Sequence, residues 1–135
     1  MTDKELMRLA IEARERAYAP YSGYKVGAAL LGKSGKVYLG CNVENASYTP
    51  TNCAERTAIF KAVSEGEREF SAIAVCGGIG EKISESCTPC GVCRQVLAEF
   101  CSPDFRIVMG SEHNLRVTTL GELLPDSFGK NNLKD

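Results

Sequence analysis

The stretch FSAIAVC, residues 70–76, decides the fold class because it is an almost unbroken apolar run. A strand of this composition is typical of a sheet that is covered on both faces. Helical patterns flank it: one spans residues 53–65 and stops at Gly66, and the other spans residues 90–100 and starts after Pro89. This arrangement predicts a central strand packed between layers of helix.

The rest of the chain extends the same pattern in both directions. Thr2 and Glu5 form a capping box that opens a first helix, which we expect to end by Pro20. Further strands are predicted at residues 25–31, 36–42, 105–109 and 115–118, and a short helix runs through Leu124. Residues 77–88 are predicted to be a glycine-rich loop. The order α-β-β-α-β-α-β-β-α predicts an α/β fold with three α/β/α layers and a central mixed sheet of about five strands.

Composition narrows the class of protein. The chain has 135 residues, which predicts a single domain over 1–135 with a polar tail from about 129. Sixteen basic and 17 acidic residues give a net charge of -1, which argues against nucleic acid as a partner. No apolar run approaches the length of a membrane span, and the N-terminus MTDKELMRLA lacks the apolar segment of a signal peptide. We therefore expect a cytoplasmic protein with no membrane partner.

Seven cysteines are many for a chain of this length. In a reducing compartment disulfides are rare, so a cluster of cysteines favours metal binding or catalysis. Two fragments hold the candidate ligands: Cys53-Ala54-Glu55, and the PCGVC motif that contains Cys90 and Cys93. Thiolates suit zinc, and three of them leave the fourth tetrahedral position for water, which is the pattern of a catalytic site.

Glu55 strengthens the catalytic interpretation because a carboxylate two residues after a ligand can lie beside that water. This geometry requires Cys53 to stand at or near the N-cap of its helix; otherwise Glu55 is only a first-turn acid that complements the helix dipole. Arg56 can offset the negative charge of three thiolates by donating to the ligand sulfurs. Arg94 is a candidate for the same task.

A structural metal site is the alternative that the spacing leaves open. Cys87, Cys90 and Cys93 stand three residues apart and could close a four-sulfur site with Cys53 or Cys76. Such a site would have no open position and would catalyse nothing. The default expectation for Cys41, Cys76 and Cys101 is a buried, inert cysteine.

The combined motifs resemble cytidine deaminase of the small, homotetrameric zinc type, within the cytidine and deoxycytidylate deaminase superfamily. The signature with a non-ligand glutamate and P-C-x-x-C is that of the zinc deaminases. The resemblance covers about residues 6–128, and the matching stretches are YAPYS at 18–22, YKVGA at 24–28, GCNVENA at 40–46, CAERTA at 53–58, PCGVCRQ at 89–95 and LLPDSF at 123–128.

The resemblance implies an enzyme, a hydrolase of the zinc-dependent cytidine deaminase type. It would convert cytidine and 2′-deoxycytidine to the uridines with release of ammonia, by a zinc-activated water and a glutamate proton shuttle, as in pyrimidine salvage. It implies one Zn²⁺ per subunit, held by Cys53, Cys90 and Cys93, with Glu55 as the shuttle and Arg56 beside the ligands.

The resemblance also implies the substrate contacts. Asn42 and Glu44 would bind the ribose 3′-hydroxyl, Tyr24 and Phe128 would line the pyrimidine pocket, and the backbone of Ala54 would hold the edge of the base. Phe128 would enter from a neighbouring subunit, so a homotetramer would share residues between active sites.

Three features depart from the family pattern: Tyr24 stands where phenylalanine is common, Cys87 is an additional cysteine, and residues 77–88 match poorly. Two other functions stay open. A structural zinc module would need a fourth protein ligand, most simply Cys87. A deaminase of another amine, such as a nucleoside antibiotic or a base in RNA, is disfavoured by Asn42 and Glu44 and by the near-neutral charge.

Overall fold

The computed structural model describes residues 1–134, and Asp135 lies outside them. The elements follow the predicted order, with one additional 3₁₀ turn in the tail. Their bounds are α1 Asp3–Arg14, β1 Tyr24–Gly32, β2 Val37–Cys41, α2 Ala54–Ser64, β3 Phe70–Ile79, α3 Gly91–Phe100, β4 Arg106–Ser111, β5 Asn114–Thr119, α4 Leu120–Leu123 and the 3₁₀ turn Lys130–Leu133.

Within residues 1–134 the strands form one five-stranded sheet in the order β2-β1-β3-β4-β5. Strands β3 and β4 are parallel, and the other neighbouring pairs are antiparallel. Helix α3 makes the crossover between the parallel strands, because such strands cannot be joined by a tight turn. The mixed sheet predicted from the sequence is thereby confirmed.

The central strand β3 is buried on both faces, as its composition predicts. Ala72, Ala74 and Cys76 belong to a cluster with α1, whereas Ile73 and Val75 belong to a cluster with α2 and α3. This division follows from the alternation of side chains along a strand. The three-layer α/β/α arrangement is confirmed.

The prediction for residues 77–88 was wrong at its beginning, because Gly77 and Gly78 continue strand β3. They pair with Val26 and Lys25 of β1, and this ladder outweighs the low strand propensity of glycine. The chain then turns back, and the Ser84 amide donates to the Gly77 carbonyl at 2.7 Å.

The first helix is shorter than the prediction that placed its end at Pro20. It ends at Arg14, and the chain then runs to Tyr18, which forms a β-bridge with Val43. The Tyr18 amide donates to the Asn42 carbonyl at 2.9 Å, and the Glu44 amide donates to the Tyr18 carbonyl at 2.8 Å. Pairing with a distant segment therefore ends the helix before proline does.

Helix α2 lies directly against strand β2 because Gly40 has no side chain. A Cβ at Gly40 would stand 2.3 Å from the carbonyl oxygen of Ala54 and 2.6 Å from the amide nitrogen of Ala58. Both atoms belong to the backbone of α2, so they cannot move without moving the helix. This close approach fixes the position of the start of α2 relative to the sheet, and with it the position of Cys53.

We expect Gly40→Ala to lower the free energy of unfolding by about 2–3 kcal/mol, since the methyl group overpacks a backbone contact. Urea denaturation measures the change. The matched control is Gly91→Ala, because a Cβ at Gly91 meets nothing within 4 Å. Equal stability of Gly40→Ala and the unsubstituted protein would contradict the inferred packing.

Candidate metal centre and adjoining pocket

Three cysteine sulfurs from the starts of two helices lie together. Cys53 is the N-cap of α2, Cys90 is the N-cap of α3, and Cys93 stands one turn into α3. Their Sγ atoms lie within 4.8 Å of one another, and those of Cys53 and Cys90 are 3.8 Å apart. The condition that Cys53 stand at a helix N-cap is met.

The donor set fits zinc. A tetrahedral zinc ion with Zn–S bonds of about 2.3 Å holds its sulfurs about 3.8 Å apart. The separation of the Cys53 and Cys90 sulfurs matches this requirement. Helix N-termini carry partial positive charge, which favours the thiolate form of N-terminal cysteines. The three side chains are therefore arranged to bind one ion.

A fourth protein ligand is not found among residues 1–134. Cys87 and Cys76 lie outside the group of mutually close donors, although both are buried. Burial raises the pKa of each of these thiols. The four-sulfur structural site that the spacing left open is not formed.

The surroundings of Cys53 favour its thiolate form. Hydrogen bonding from the Cys93 thiol lowers the pKa of Cys53 in spite of burial, and Arg56 contributes further. The guanidinium Nη2 of Arg56 donates to Cys53 Sγ at 3.2 Å. The charge compensation considered for Arg56 is thus present as a direct contact.

Arg94 does not share this task. Its Nε donates to the carbonyl of Pro89 at 2.7 Å, and its Nη1 donates to the carbonyl of Leu123 at 2.8 Å. Arg94 therefore fixes the turn before Cys90 and ties it to the end of α4.

Glu55 lines a pocket of about 330 Å³ next to the sulfurs, and its side chain is almost fully buried, with the residue 3% exposed. Burial raises the pKa of Glu55 to about 7. Ala54 lines the same pocket, and its amide belongs to the first turn of α2, where amides lack intrahelical partners. A buried acid and an available donor thus face one cavity.

Asn42 and Tyr24 form another wall of this pocket. The Oδ1 of Asn42 accepts from the Val26 amide, and its Nδ2 donates to the Tyr24 carbonyl, both at 2.8 Å. The side chain of Asn42 is therefore locked onto the beginning of β1. It keeps hydrogen-bonding capacity, because an amide group has two N–H donors and two acceptor lone pairs.

Two of the three departures from the family pattern, Tyr24 and Cys87, lie next to each other. A Cβ at Gly77 would lie 2.8 Å from Cys87 Sγ and 2.9 Å from Tyr24 Cε1. Only glycine leaves room for both side chains there. Cys87 is 7% exposed and lines the pocket beside Glu55 and Cys53.

Glu44 and Phe128 are not brought into this pocket. Glu44 lines a neighbouring cavity of about 340 Å³, and Thr51 lines both cavities. Phe128 is 61% exposed, and its carbonyl accepts from Gln95 Nε2 at 2.8 Å.

Sequence reasoning gave no role to Ser22, which contacts Glu44. The Oε1 of Glu44 accepts from the amides of Tyr21 and Ser22 at 2.9 and 3.1 Å, and its Oε2 accepts from the Ser22 hydroxyl. The one sequence signal at Ser22 is that it belongs to YAPYS, a stretch that matches the family.

The chain is similar to proteins of known activity. The family model described as the cytidine and deoxycytidylate deaminase zinc-binding region matches residues 1–110. A cytidine deaminase of Halalkalibacterium halodurans is 48% identical over 136 residues, with full coverage of both chains. The crystal structure of cytidine deaminase from Burkholderia pseudomallei superposes with a TM-score of 0.88 at 52% identity, covering 95% of this chain and 100% of that one. A blasticidin-S deaminase of Bacillus cereus is 32% identical over 133 residues, covering 96% of this chain and 94% of that protein.

Proposed function

Because the chain belongs to the cytidine and deoxycytidylate deaminase family, we propose that it is a zinc-dependent enzyme that deaminates cytidine and 2′-deoxycytidine. The products are uridine, 2′-deoxyuridine and ammonia. The observation that carries this proposal is the group of three cysteine sulfurs beside the buried carboxylate of Glu55.

Cys53, Cys90 and Cys93 hold one zinc ion per chain in this proposal. Bound zinc supplies a Lewis acid that makes water a nucleophile at neutral pH. Arg56 donates to Cys53 and so limits the negative charge that the three thiolates accumulate. Cys93 is fully buried, Cys53 is half-buried and Cys90 is exposed, so the three ligands run from the protein interior to its surface.

Glu55 moves the protons of the reaction. Its carboxylate takes a proton from the attacking water and delivers it to N3 of the pyrimidine, which makes C4 electrophilic. It then carries the second proton of that water to the departing amino group, which leaves as ammonia. The buried position of Glu55 suits this role, because burial brings its pKa close to neutrality.

The nucleoside lies across both cavities in this proposal. The backbone of Ala54 holds the edge of the base, and the ring of Tyr24 lines one side of it. Asn42 and Glu44 bind the ribose 3′-hydroxyl, since Asn42 keeps bonding capacity and Glu44 stands in the cavity that shares Thr51.

We propose that the protein is a homotetramer, as its resemblance to the homotetrameric type implies, and that Phe128 completes the pocket of a neighbouring copy. Its exposed ring and its position outside this chain's own pocket support the idea. A monomeric mass in sedimentation would contradict it.

We also propose that the chain is one deaminase domain and acts in the cytoplasm, where thiols stay reduced. No helix among residues 1–134 is both long and apolar enough to span a membrane.

The function is tested by following the ultraviolet absorbance of cytidine with and without a zinc chelator, alongside metal stoichiometry. We expect turnover with about one zinc per chain and loss of turnover on chelation.

The kcat/KM of cytosine is expected to be at least about 100-fold lower than that of cytidine, since cytosine has no ribose to accept or donate hydrogen bonds. Equal rates for cytidine and cytosine would contradict the ribose assignment. Faster turnover of blasticidin S than of cytidine would favour a nucleoside antibiotic as the substrate.

A further inference from the structure

The hydroxyl of Ser22 lies between two parts of the site. It donates to Oε2 of Glu44, and it accepts from the amide of Tyr24 at 3.0 Å. One side chain thus joins the carboxylate of the ribose cavity to the backbone at the start of β1.

We propose that Ser22 is a positioning residue that holds the Glu44 carboxylate in the orientation that binds the ribose 3′-hydroxyl. The inference rests on the proposed role of Glu44. The two backbone amides of Tyr21 and Ser22 fix Oε1 of Glu44, and the Ser22 hydroxyl fixes Oε2. A carboxylate oxygen has two acceptor sites, so Oε2 can still accept a hydrogen bond from substrate.

Hydrogen bonding from the Ser22 side chain also lowers the pKa of Glu44, which keeps the carboxylate an acceptor at neutral pH. Glu44 is half-buried, so without the Ser22 hydroxyl its Oε2 would be free to rotate toward water. Ordering a carboxylate before the substrate arrives reduces the entropy that binding must overcome.

The backbone around this contact is held independently of Ser22. The amides of Tyr18 and Glu44 bond to the carbonyls of Asn42 and Tyr18, respectively. Removal of the hydroxyl therefore leaves this backbone pairing in place; it frees the Glu44 carboxylate and takes one acceptor from the Tyr24 amide. This separation makes Ser22 suitable for a substitution test.

We expect Ser22→Ala to raise KM for cytidine about tenfold with little change in kcat, because it weakens a contact made equally in the ground state and the transition state. For 3′-deoxycytidine, which lacks the hydroxyl that Glu44 binds, KM should be unchanged. Ser22→Thr keeps a hydroxyl and should restore most of the affinity. The matched control is Ser71→Ala, which removes a hydroxyl at the opposite end of β3 from the pocket.

The variant Glu44→Gln separates the two proposals. If it weakens binding of cytidine and spares 3′-deoxycytidine, Glu44 has its proposed role. Ser22→Ala must then show the same selectivity; an equal rise in KM for both substrates would overturn the role of Ser22 alone. If Glu44→Gln affects both substrates equally, the ribose assignment and the inference about Ser22 both fail.

Discussion

Replacing Glu55 with glutamine is expected to lower kcat by at least about 10²–10⁴-fold, which is the usual contribution of general acid–base catalysis. Glutamine has nearly the same shape as glutamate and fits the same buried space, but its amide cannot take a proton from water and pass it on. The ligand sulfurs are unchanged, so the zinc content should remain about one per chain. Steady-state kinetics with cytidine and metal analysis of the same preparation measure both results.

The control for this substitution is Glu69→Gln, which makes the same chemical change at an exposed position. It should have normal kinetics. The metal-free Glu55→Gln protein should unfold at a temperature no lower than the metal-free parent. Burial raises the pKa of Glu55, so its charged form opposes folding at neutral pH and the neutral amide does not. Near-normal turnover of Glu55→Gln would show that Glu55 is not the proton shuttle.

Replacing Cys93 with serine is expected to remove the zinc ion and to lower activity by about 10³-fold or more, since the nucleophile depends on the metal. Serine offers a hard hydroxyl in place of a soft thiolate. Zinc stoichiometry after dialysis, measured beside cytidine turnover, tests the expectation.

The matched control for the metal is Cys87→Ser. Cys87 is also buried and near the site, but it lies outside the group of close sulfurs. Its serine variant should keep zinc, whereas the Cys93 variant should not. Release of zinc from Cys87→Ser would instead indicate a four-cysteine structural ion. Zinc retained at full stoichiometry by Cys93→Ser would contradict the ligand assignment.

Local sequence signals predicted most of the elements. The capping box of Thr2 and Glu5 begins α1, and the almost unbroken apolar run of residues 70–76 correctly indicates a strand buried on both faces. The helix start and the buried strand can be predicted from the sequence because the residues that specify each of them are close together in the chain. The fragments around Cys53 and Cys90 are readable for the same reason: each ligand stands at a helix start that its own flanking residues specify.

Long-range packing decided what the sequence left open. The sulfurs of Cys53 and Cys90 stand 3.8 Å apart although 37 residues separate them in the chain, and Gly40 permits this by letting α2 approach β2. Cys87 lies outside the group of close sulfurs, although it stands only three residues before Cys90. No local sequence pattern predicts the distance between these sulfurs, because that distance depends on how the helices pack against the sheet.

The sequence by itself determined the order of helices and strands and the residue types that can bind zinc and move protons. Only the tertiary structure decided that Gly77 and Gly78 extend β3, that Arg94 bonds to Leu123 rather than standing beside the sulfurs, and that Ser22 contacts Glu44. Each of these contacts joins segments far apart in the chain. Their free energy depends on strand register and loop placement, which exist only after the sheet has formed.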